Sequence, residues 1–543
     1  MNDLSLLITR FVVCARRWHR AWLSICLPLT LGWGGCTESK PVPVEPAPTE
    51  ASHEKTTPSR KFDFKPVEKQ GASRTDGVKL EFPRFSESAE GLGIKHVYLN
   101  GASAKALMVE STGGGCGWFD YDGDGRLDLL LTQGGVPDAE DISQNPPDVL
   151  YRQMVGGQFV DVAELAGVAD RGYGQGVAMG DANNDGFDDL FVANIGRCSF
   201  YLNQGDGTFR LSNDWVTGKR DVWTSSVAWG DIDRDGDLDL YVCNYTKYDP
   251  RHPVQCRNKA GQLTICHPRQ VEPEPDEFFL NTGDGHLIEV SGRLGLFGPG
   301  NKALGVTIAD LDGDDWPDIF VANDTQANFL FINDHGQRFT ESAMILGAAF
   351  SRTGEAQANM GIAFGDFDRN GWPDLCVTHF TGEGHTLYQN LGKRGIQDVT
   401  AMTGLRQPTL NKLGFGTVMS DFNFDGHMDL FFANGHIDPA FADSEGYEMN
   451  PQLFSFDGEH WQDGSTAASE YFAGKYVGRG VATADFDRDG DLDICVAHQN
   501  SPAAILRNES KRQNGIRLRC IGRESNRNGY GARVTVRFGE NQL

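Results

Sequence analysis

From about residue 110 onward the chain repeats one pattern of apolar and polar positions. A run of small and apolar residues, such as GVAMG, SVAWG, GIAFG or VATA, leads into nine mostly polar residues. A short apolar run follows every time: DLLLT, DLFVAN, DLYVCN, DIFVAN, DLCVTH, DLFFAN or DICVAH. Runs of this length and composition, bounded by turn residues, predict short β-strands. Further on, most repeats carry a second hairpin signal, as in FYLNQGDGTF, FFLNTGDGHL and FLFINDHGQRF. Four strands per unit, seven times over, is the signature of an all-β propeller of four-stranded blades. A solenoid is the alternative, and the ends of the array decide. Internal repeats carry a segment such as FVDVAELAGV after the second hairpin, whereas the seventh passes from AAILRNES into different sequence. A matching segment, FSESAEGLGI, stands at residues 85–94, before the first repeat. Completing the seventh blade with it removes the open edge, and a solenoid has no use for that displacement. The expectation is a seven-bladed β-propeller over residues 81–510, closed by an N-terminal strand.

The nine polar residues carry the chemistry. They read DYDGDGRLD from 120, DANNDGFDD from 181, DIDRDGDLD from 231, DLDGDDWPD from 310, DFDRNGWPD from 366, DFNFDGHMD from 421 and DFDRDGDLD from 485. Positions one, three, five and nine supply side-chain oxygens. The candidate ligands are Asp120, Asp122, Asp124 and Asp128, then Asp181, Asn183, Asp185 and Asp189, then Asp231, Asp233, Asp235 and Asp239. They continue with Asp310, Asp312, Asp314 and Asp318, then Asp366, Asp368, Asn370 and Asp374. Asp421, Asn423, Asp425 and Asp429, and finally Asp485, Asp487, Asp489 and Asp493, complete the set. Position seven adds a backbone carbonyl, and glycine at position six allows the positive φ that curls the chain around a small centre. Asp315 replaces that glycine in the fourth stretch and puts its geometry in question. Hard oxygen donors without Cys or recurrent His disfavour zinc and copper, and a tight carboxylate-rich loop suits Ca2+ better than Mg2+. Up to seven ions are expected. An isolated stretch of this kind reads equally as an ion-free acidic turn; sevenfold recurrence at one place in a repeat favours the ion.

Charge supports the same reading. Of the 75 acids, 29 fall in these stretches, and the formal net charge is −26. Seven divalent ions would leave about −12. Such an acidic chain lacks the cationic footprint that nucleic acid requires.

Residues 1–36 read as an export signal: Arg10, Arg16, Arg17 and Arg20 precede the apolar run AWLSICLPLTLGWGGC, too short for a comfortable membrane span. Lipidation at Cys36, simple secretion and a retained anchor are the three readings of its end, the first being favoured. Residues 37–80, rich in Pro, Glu, Ser and Thr, read as an unfolded tether. Cys256 and Cys266 lie in an insertion where an exported setting permits a disulfide, while Cys243, Cys376 and Cys495 fall in strands as core residues.

The acidic stretches resemble the FG-GAP or VCBS repeat of integrin α-type propellers, a resemblance that implies Ca2+ in the turn between the first two strands of a blade. Residues 511–543 look like the opening of an ASPIC/UnbV domain, recognised by Ser525, Asn526, Arg527, Gly529, Gly531, Ala532 and Arg533. The chain stops partway through that domain, as a partial β segment. Repeats followed by this domain are similar to the cartilage acidic protein family and its exported bacterial relatives.

Strand parity puts the acidic loops and the GDG-type turns on one face. The other face carries the variable insertions, YTKYDPRHPVQCRNKAGQLTICHPRQVEPEPD, THFTGEGH and NGHIDPAFADSEGYEMN, and is where a ligand is expected. His379, His436 and His498, with Asn194, Asn244, Asn323 and Asn434 in sister repeats, are candidates for a ring at the central opening. The bland alternative, that these side chains bond strand ends and turns, is favoured. Trp118, Trp229, Trp316 and Trp372 are expected between blades. The sequence thus reads as an exported, non-catalytic Ca2+ propeller that binds a protein or polysaccharide at the cell envelope or in the matrix. A Ca2+-dependent polysaccharide lyase or hydrolase, or a scaffold subunit of an envelope complex, is the alternative.

Overall fold

The computed structural model describes residues 80–543 apart from 138, 140, 250–251, 299, 440–444, 512–517, 535–536, 539–540 and 543. The stretches expected to be an export signal and, but for residue 80, a tether lie outside the described residues, and Cys36 with them. Gly77–Leu543 forms one compact unit, and its regular structure is overwhelmingly strand.

Each acidic stretch joins two antiparallel strands, as the alternation of apolar run, polar nonapeptide and apolar run requires. The seven pairs are Cys116–Phe119 with Asp128–Leu131, Tyr173–Gly180 with Asp189–Gly196, Val222–Gly230 with Asp239–Thr246, and Ala303–Ala309 with Asp318–Asn323. Ile362–Gly365 with Asp374–Val377, Gly414–Ser420 with Asp429–Asn434, and Gly478–Ala484 with Asp493–His498 complete them. The second hairpin supplies the third and fourth strands, as Val149–Gln153 and Phe159–Asp161 do in the first repeat. In the last repeat the fourth place is taken by Phe85–Glu87, which runs antiparallel to Ala504–Asn508 with Phe85 opposite Asn508.

Residues 85–94 also share the local structure that ends other repeats. One helical turn, Ala89–Leu92, leaves through Gly93 at φ 87°, as Ala163–Ala166 leaves through Gly167 at 79° and Ala343–Leu346 through Gly347 at 92°. An acid two residues ahead holds the first helical N–H in each: Glu87 accepts from Ala89 at 2.8 Å, Asp161 from Ala163 at 3.0 Å and Glu341 from Ala343 at 2.8 Å.

The first strands are rich in glycine because their backbones touch. A Cβ on Gly115 would stand 2.8 Å from Gly176 Cα, one on Gly361 1.9 Å from the Phe415 carbonyl, and one on Gly416 2.3 Å from that of Arg479. On Gly480 it would meet the Gly114 carbonyl at 2.1 Å, a contact between the last repeat and the first. The run STGGGCGW is thus strand packing. Around these contacts lies a cavity of about 270 Å³ bordered by the glycine run ahead of Cys116 and by the first strands of the other six repeats.

Apolar cores lie between successive repeats. Ile232, Tyr241 and Phe278 of the third pack on Ile319, Val321 and Phe331 of the fourth, and Leu129 and Leu131 of the first pack on Cys495 and Ile505 of the last. Trp118 stacks on Phe486 at 5.5 Å between centroids, and Trp229 joins the core between the second and third repeats. Trp316 and Trp372 depart from expectation. They stand at the seventh position of their loops, beyond the strands, so their rings cover the loop rim: Arg234 lies over Trp316 at 5.2 Å, and Trp372 lies against Gly313 and Gly392.

Candidate cation loops and the opposite face

Inside the loops the backbone folds onto the acids, and in the second, fourth, fifth and sixth both oxygens of the position-one acid accept backbone N–H groups. Position one accepts from the position-six N–H, with Gly186 reaching Asp181 at 2.7 Å and Gly371 reaching Asp366 at 2.8 Å. Position three accepts from position five, and position five from position seven, as Asp124 N to Asp122 (3.1 Å) and Trp316 N to Asp314 (2.9 Å) show. The remaining oxygens turn inward. In five loops three acids bring an oxygen each within 4.8 Å of the others: Asp120, Asp122 and Asp128; Asp231, Asp233 and Asp235; Asp310, Asp312 and Asp318; Asp366, Asp368 and Asp374; and Asp485, Asp487 and Asp489. The loops with Asn183 and Asn423 at position three form no such triplet of acids among the described residues.

Position nine is the most buried. Asp128, Asp189, Asp239, Asp318, Asp374, Asp429 and Asp493 are each at most 1% exposed. One oxygen accepts the N–H of position two, as Ile232 to Asp239 (3.0 Å), and in six loops the other accepts an N–H from the third strand, as Asn281 to Asp239 (2.9 Å). These carboxyls staple three strands together while keeping lone pairs for an ion. Burial pushes Asp128 and Asp318 up to about 7 and Asp189, Asp374 and Asp493 up to about 8, and it holds Asp239 and Asp429 well above the usual carboxylate range too. Burial likewise raises Asp181 and Asp233 to about 6. A divalent ion supplies the positive charge that would let such groups ionise. Two buried oxygens, Asp120 Oδ1 and Asp231 Oδ1, have no hydrogen-bond partner. All donors are hard oxygens, so the residues present fit Ca2+.

Backbone geometry accounts for the tight curl. Position six is left-handed in every loop, from Gly125 at φ 82° to Gly490 at 100°, and Asp315 adopts it too at 70°. The glycine exchange therefore leaves the fourth loop's path intact. Position four is left-handed as well, at Gly123, Asn184, Arg234, Gly313, Arg369, Phe424 and Arg488. The sequence gives no hint of this, because five of the seven are not glycine. Several of these side chains reach the next loop: Asn184 donates to the Gly236 carbonyl at 3.1 Å, and Arg234 to that of Asp315 at 3.2 Å.

The loops are not equivalent. In the first, Arg152 pairs with Asp122; in the last, Arg507 Nε lies 2.6 Å from Asp487. Both arginines come from the third strand, directly before Gln153 and Asn508. Gln389, at the same place in the fifth repeat, donates to Asp368. Leu202, Leu280, Ile332 and Phe454 occupy it elsewhere. Among the described residues no ion pair reaches the acids of the third and fourth loops.

The residue after that position is a clasp between repeats. Asn203, Asn281, Asn333, Asn390 and Asn508 donate to the position-two carbonyl of the preceding loop, at Tyr121, Ala182, Ile232, Leu311 and Phe422, over 2.8–2.9 Å. Gln153 of the first repeat makes the same bond to Phe486 of the last, at 3.1 Å. The recurring Asn was visible in LNQGDG and LNTGDG, but its partner lies in another repeat.

The C-terminal segment lies on the second and third loops. Asn526 donates to Asp231 Oδ2 at 3.3 Å, and Asn528 donates to Asp188 at 2.6 Å while accepting from Asp181 N at 2.9 Å. Tyr530 donates to the Met179 carbonyl at 3.0 Å.

On the opposite face the third repeat's insertion forms a hairpin, Cys256–Arg257 with Leu263–Thr264, braced by a Cys256–Cys266 bond with Cα atoms 5.1 Å apart. It crosses to the sixth repeat, where Asp438 accepts from Thr264 Oγ1 at 2.9 Å and from Ile265 N at 3.2 Å. Beneath it lies a cavity of about 480 Å³ walled by apolar residues, among them Trp223, Leu304, Met360, Phe380 and Phe415. Asp324 and Glu383 also line it, held by burial up to about 6 and about 7.

Of the three histidines, only His436 borders this cavity. His498 is fixed in the core, with Tyr471 Oη 2.9 Å from Nε2 and the Pro502 carbonyl 2.6 Å from Nδ1. His379 is fully buried beside His385, and desolvation lowers both to about 3. The sister asparagines bond strand ends and loops, Asn194 to Arg197 O and Asn323 to Ala327 O. These side chains do not form a ring around one opening.

Repeats of this geometry define a family. FG-GAP-like repeats match residues 120–192, 181–242, 270–321, 310–377 and 421–496, more than half of the chain, and the protein belongs to that family. Among curated proteins it is similar to cartilage acidic protein 1 of Mus musculus, 25% identical over 351 residues, covering 61% of this chain and 49% of that one. It is also similar to the Xenopus tropicalis protein of that name, 25% identical over 418 residues, covering 71% and 57%. The chain thus spans about half the length of these relatives. Among solved structures, an Agrocybe aegerita lectin that recognises non-reducing terminal N-acetylglucosamine aligns with a TM-score of 0.37 at 15% identity, covering 65% of this chain and 79% of that one.

Proposed function

We propose that this chain is an exported, calcium-binding, seven-bladed propeller that serves as a binding module for a protein or polysaccharide at the cell envelope or in the extracellular matrix. The observation that carries the reading is the convergence of three carboxylates within 4.8 Å in five equivalent loops. Ring closure is supported by the strand pairing of Phe85–Glu87 and by the Gln153–Phe486 bond. Up to seven Ca2+ ions bind, the first and last loops filling after the others because Arg152 and Arg507 compete there. Affinities of roughly 10⁻⁴ to 10⁻³ M, typical of extracellular modules, suit a structural ion. Export rests on the leader and the Cys256–Cys266 bond, and a lipid at Cys36 would be the sole membrane attachment. No described helix is long and apolar enough to cross a membrane.

The ligand seat is the cavity under the disulfide-braced hairpin, of a size usual for binding sites. Its test is a binding screen against glycans and envelope proteins, with Met360→Trp filling the cavity. Binding that survives this substitution places the ligand elsewhere. Chelation is the test of the ions: EDTA lowers Tm and Ca2+ restores it, and an unchanged melting curve removes the cation from the account. One observation favours a second reading, acid–base cleavage of a polysaccharide: Asp324 and Glu383 both line the cavity with pKa values raised toward neutrality. Polysaccharide degradation by the wild type, abolished in Glu383→Gln, would establish it.

A further inference from the structure

The C-terminal segment takes no part in the ring, yet its contacts are specific. Asn526 is 2% exposed and spends its side chain on both partners: Nδ2 on Asp231 Oδ2, and Oδ1 on the Tyr530 N–H at 2.8 Å. Asp231 is 7% exposed. Its second oxygen, Oδ1, is buried without a hydrogen-bond partner, and the carboxylate sits within 4.8 Å of those of Asp233 and Asp235. The segment thus occupies one oxygen of a first-position acid and leaves the other for an ion. Two residues on, Asn528 grips the second loop through Asp188 and the Asp181 N–H. Neighbouring residues run over the position-six glycines, Glu524 and Ser525 against Gly236, and Arg527, between the two asparagines, against Gly186.

We propose that Asn526 and Asn528 make this segment a cation-dependent clasp: Asn526 is a positioning residue that aims Asp231 at an ion in the third loop, and the ion in turn holds the clasp in place. The inference rests on the reading of the loops as Ca2+ sites. In the empty third loop three acids repel one another, which weakens the arrangement in which Asp231 meets Asn526. An ion fixes the carboxylate, and the amide then finds its acceptor where the loop puts it. Groups that orient a ligand from behind are worth roughly 10- to 100-fold in metal affinity. Linkage demands reciprocity, so the ion strengthens docking of the segment by the same factor that the segment strengthens the ion.

Limited trypsin digestion of the full chain reads the docking directly, because Arg519, Arg523, Arg527 and Arg533 lie in the segment. Cleavage there is expected to slow about tenfold between EDTA and saturating Ca2+. Asn526→Ala and Asn528→Ala together should abolish that protection while leaving the Ca2+-induced rise in Tm. Titration with Tb3+, followed by its sensitised emission, should show one site weakened about tenfold in Asn526→Ala alone. Equal cleavage with and without Ca2+, while Tm still responds, overturns the clasp and leaves the loops as cation sites. A Tm indifferent to chelation overturns both. Unchanged Tb3+ binding in Asn526→Ala rules out the positioning role.

Discussion

Replacing Asn333 with alanine tests whether the clasps between repeats carry the fold. The Asn333 amide donates to the Ile232 carbonyl of the preceding loop and to the Pro317 carbonyl of its own, both at 2.9 Å, and its oxygen accepts from Gly336 at 2.8 Å. The residue is 2% exposed. Alanine therefore leaves two carbonyls without donors where water does not reach, at about 1–3 kcal/mol each. A loss of about 2–5 kcal/mol is a large share of the roughly 5–15 kcal/mol that usually separates folded from unfolded chains. With a denaturant slope of about 3 kcal/mol/M, a loss of 3 kcal/mol moves the urea midpoint by roughly 1 M. The assay is urea unfolding in excess Ca2+, followed by tryptophan fluorescence, beside the exposed neighbour Asp334→Ala as control. Gln153→Ala should cost at least half as much, because it breaks the one equivalent bond that spans the first and last repeats. A midpoint within 0.2 M of wild type in Asn333→Ala refutes the reasoning.

Arg507→Leu removes the guanidinium beside Asp487 and leaves that loop's acids uncompensated. It should lower stability by about 1 kcal/mol in EDTA and by less in Ca2+; equal losses in both would show that arginine and ion do not compete. Buried histidine sets the acid limit. His385 titrates near 3 in the folded chain against about 6.5 unfolded, so its contribution is intact above pH 6.5. It is lost toward pH 3 at about 1.4 kcal/mol per pH unit, because only the unfolded chain takes the proton. His385→Gln should flatten the stability profile between pH 6.5 and 4.5 by that amount, and an unaltered slope would count against the assignment.

The acidic spacing, the hairpins and the displaced segment at residues 85–94 were legible because each is a local pattern repeated in one chain. Hydrophobic runs bracketing nine polar residues fix strand, loop and strand, and the acids at positions one and three meet a third acid in five loops, from position nine in three of them and from position five in two. What escaped were relations between repeats. Arg152 and Arg507 sit in third strands, far along the sequence from the Asp122 and Asp487 they neutralise, and nothing in FYLN or AILRN says which loop its Asn will reach. Position four takes Arg, Asn and Phe in a left-handed backbone, so the usual glycine signal is missing there. The histidines were grouped by their distance from the loops, yet His498 turns into the core beside Tyr471 while His436 turns to the cavity. Register alone does not decide which side of a strand end meets a neighbour. The hairpin's reach to Asp438, 174 residues on, lay equally beyond the sequence.

At the junction between the last repeat and the first, a carboxamide bond and touching glycines recur as they do between several other repeats, and residues 85–87 pair with 504–508 in the place a fourth strand takes elsewhere. On the proposed closed ring, the place where the polypeptide starts matters little to folding. A circular permutant, with its old termini joined and a new opening cut in any exposed connection between two other repeats, should fold to the same arrangement.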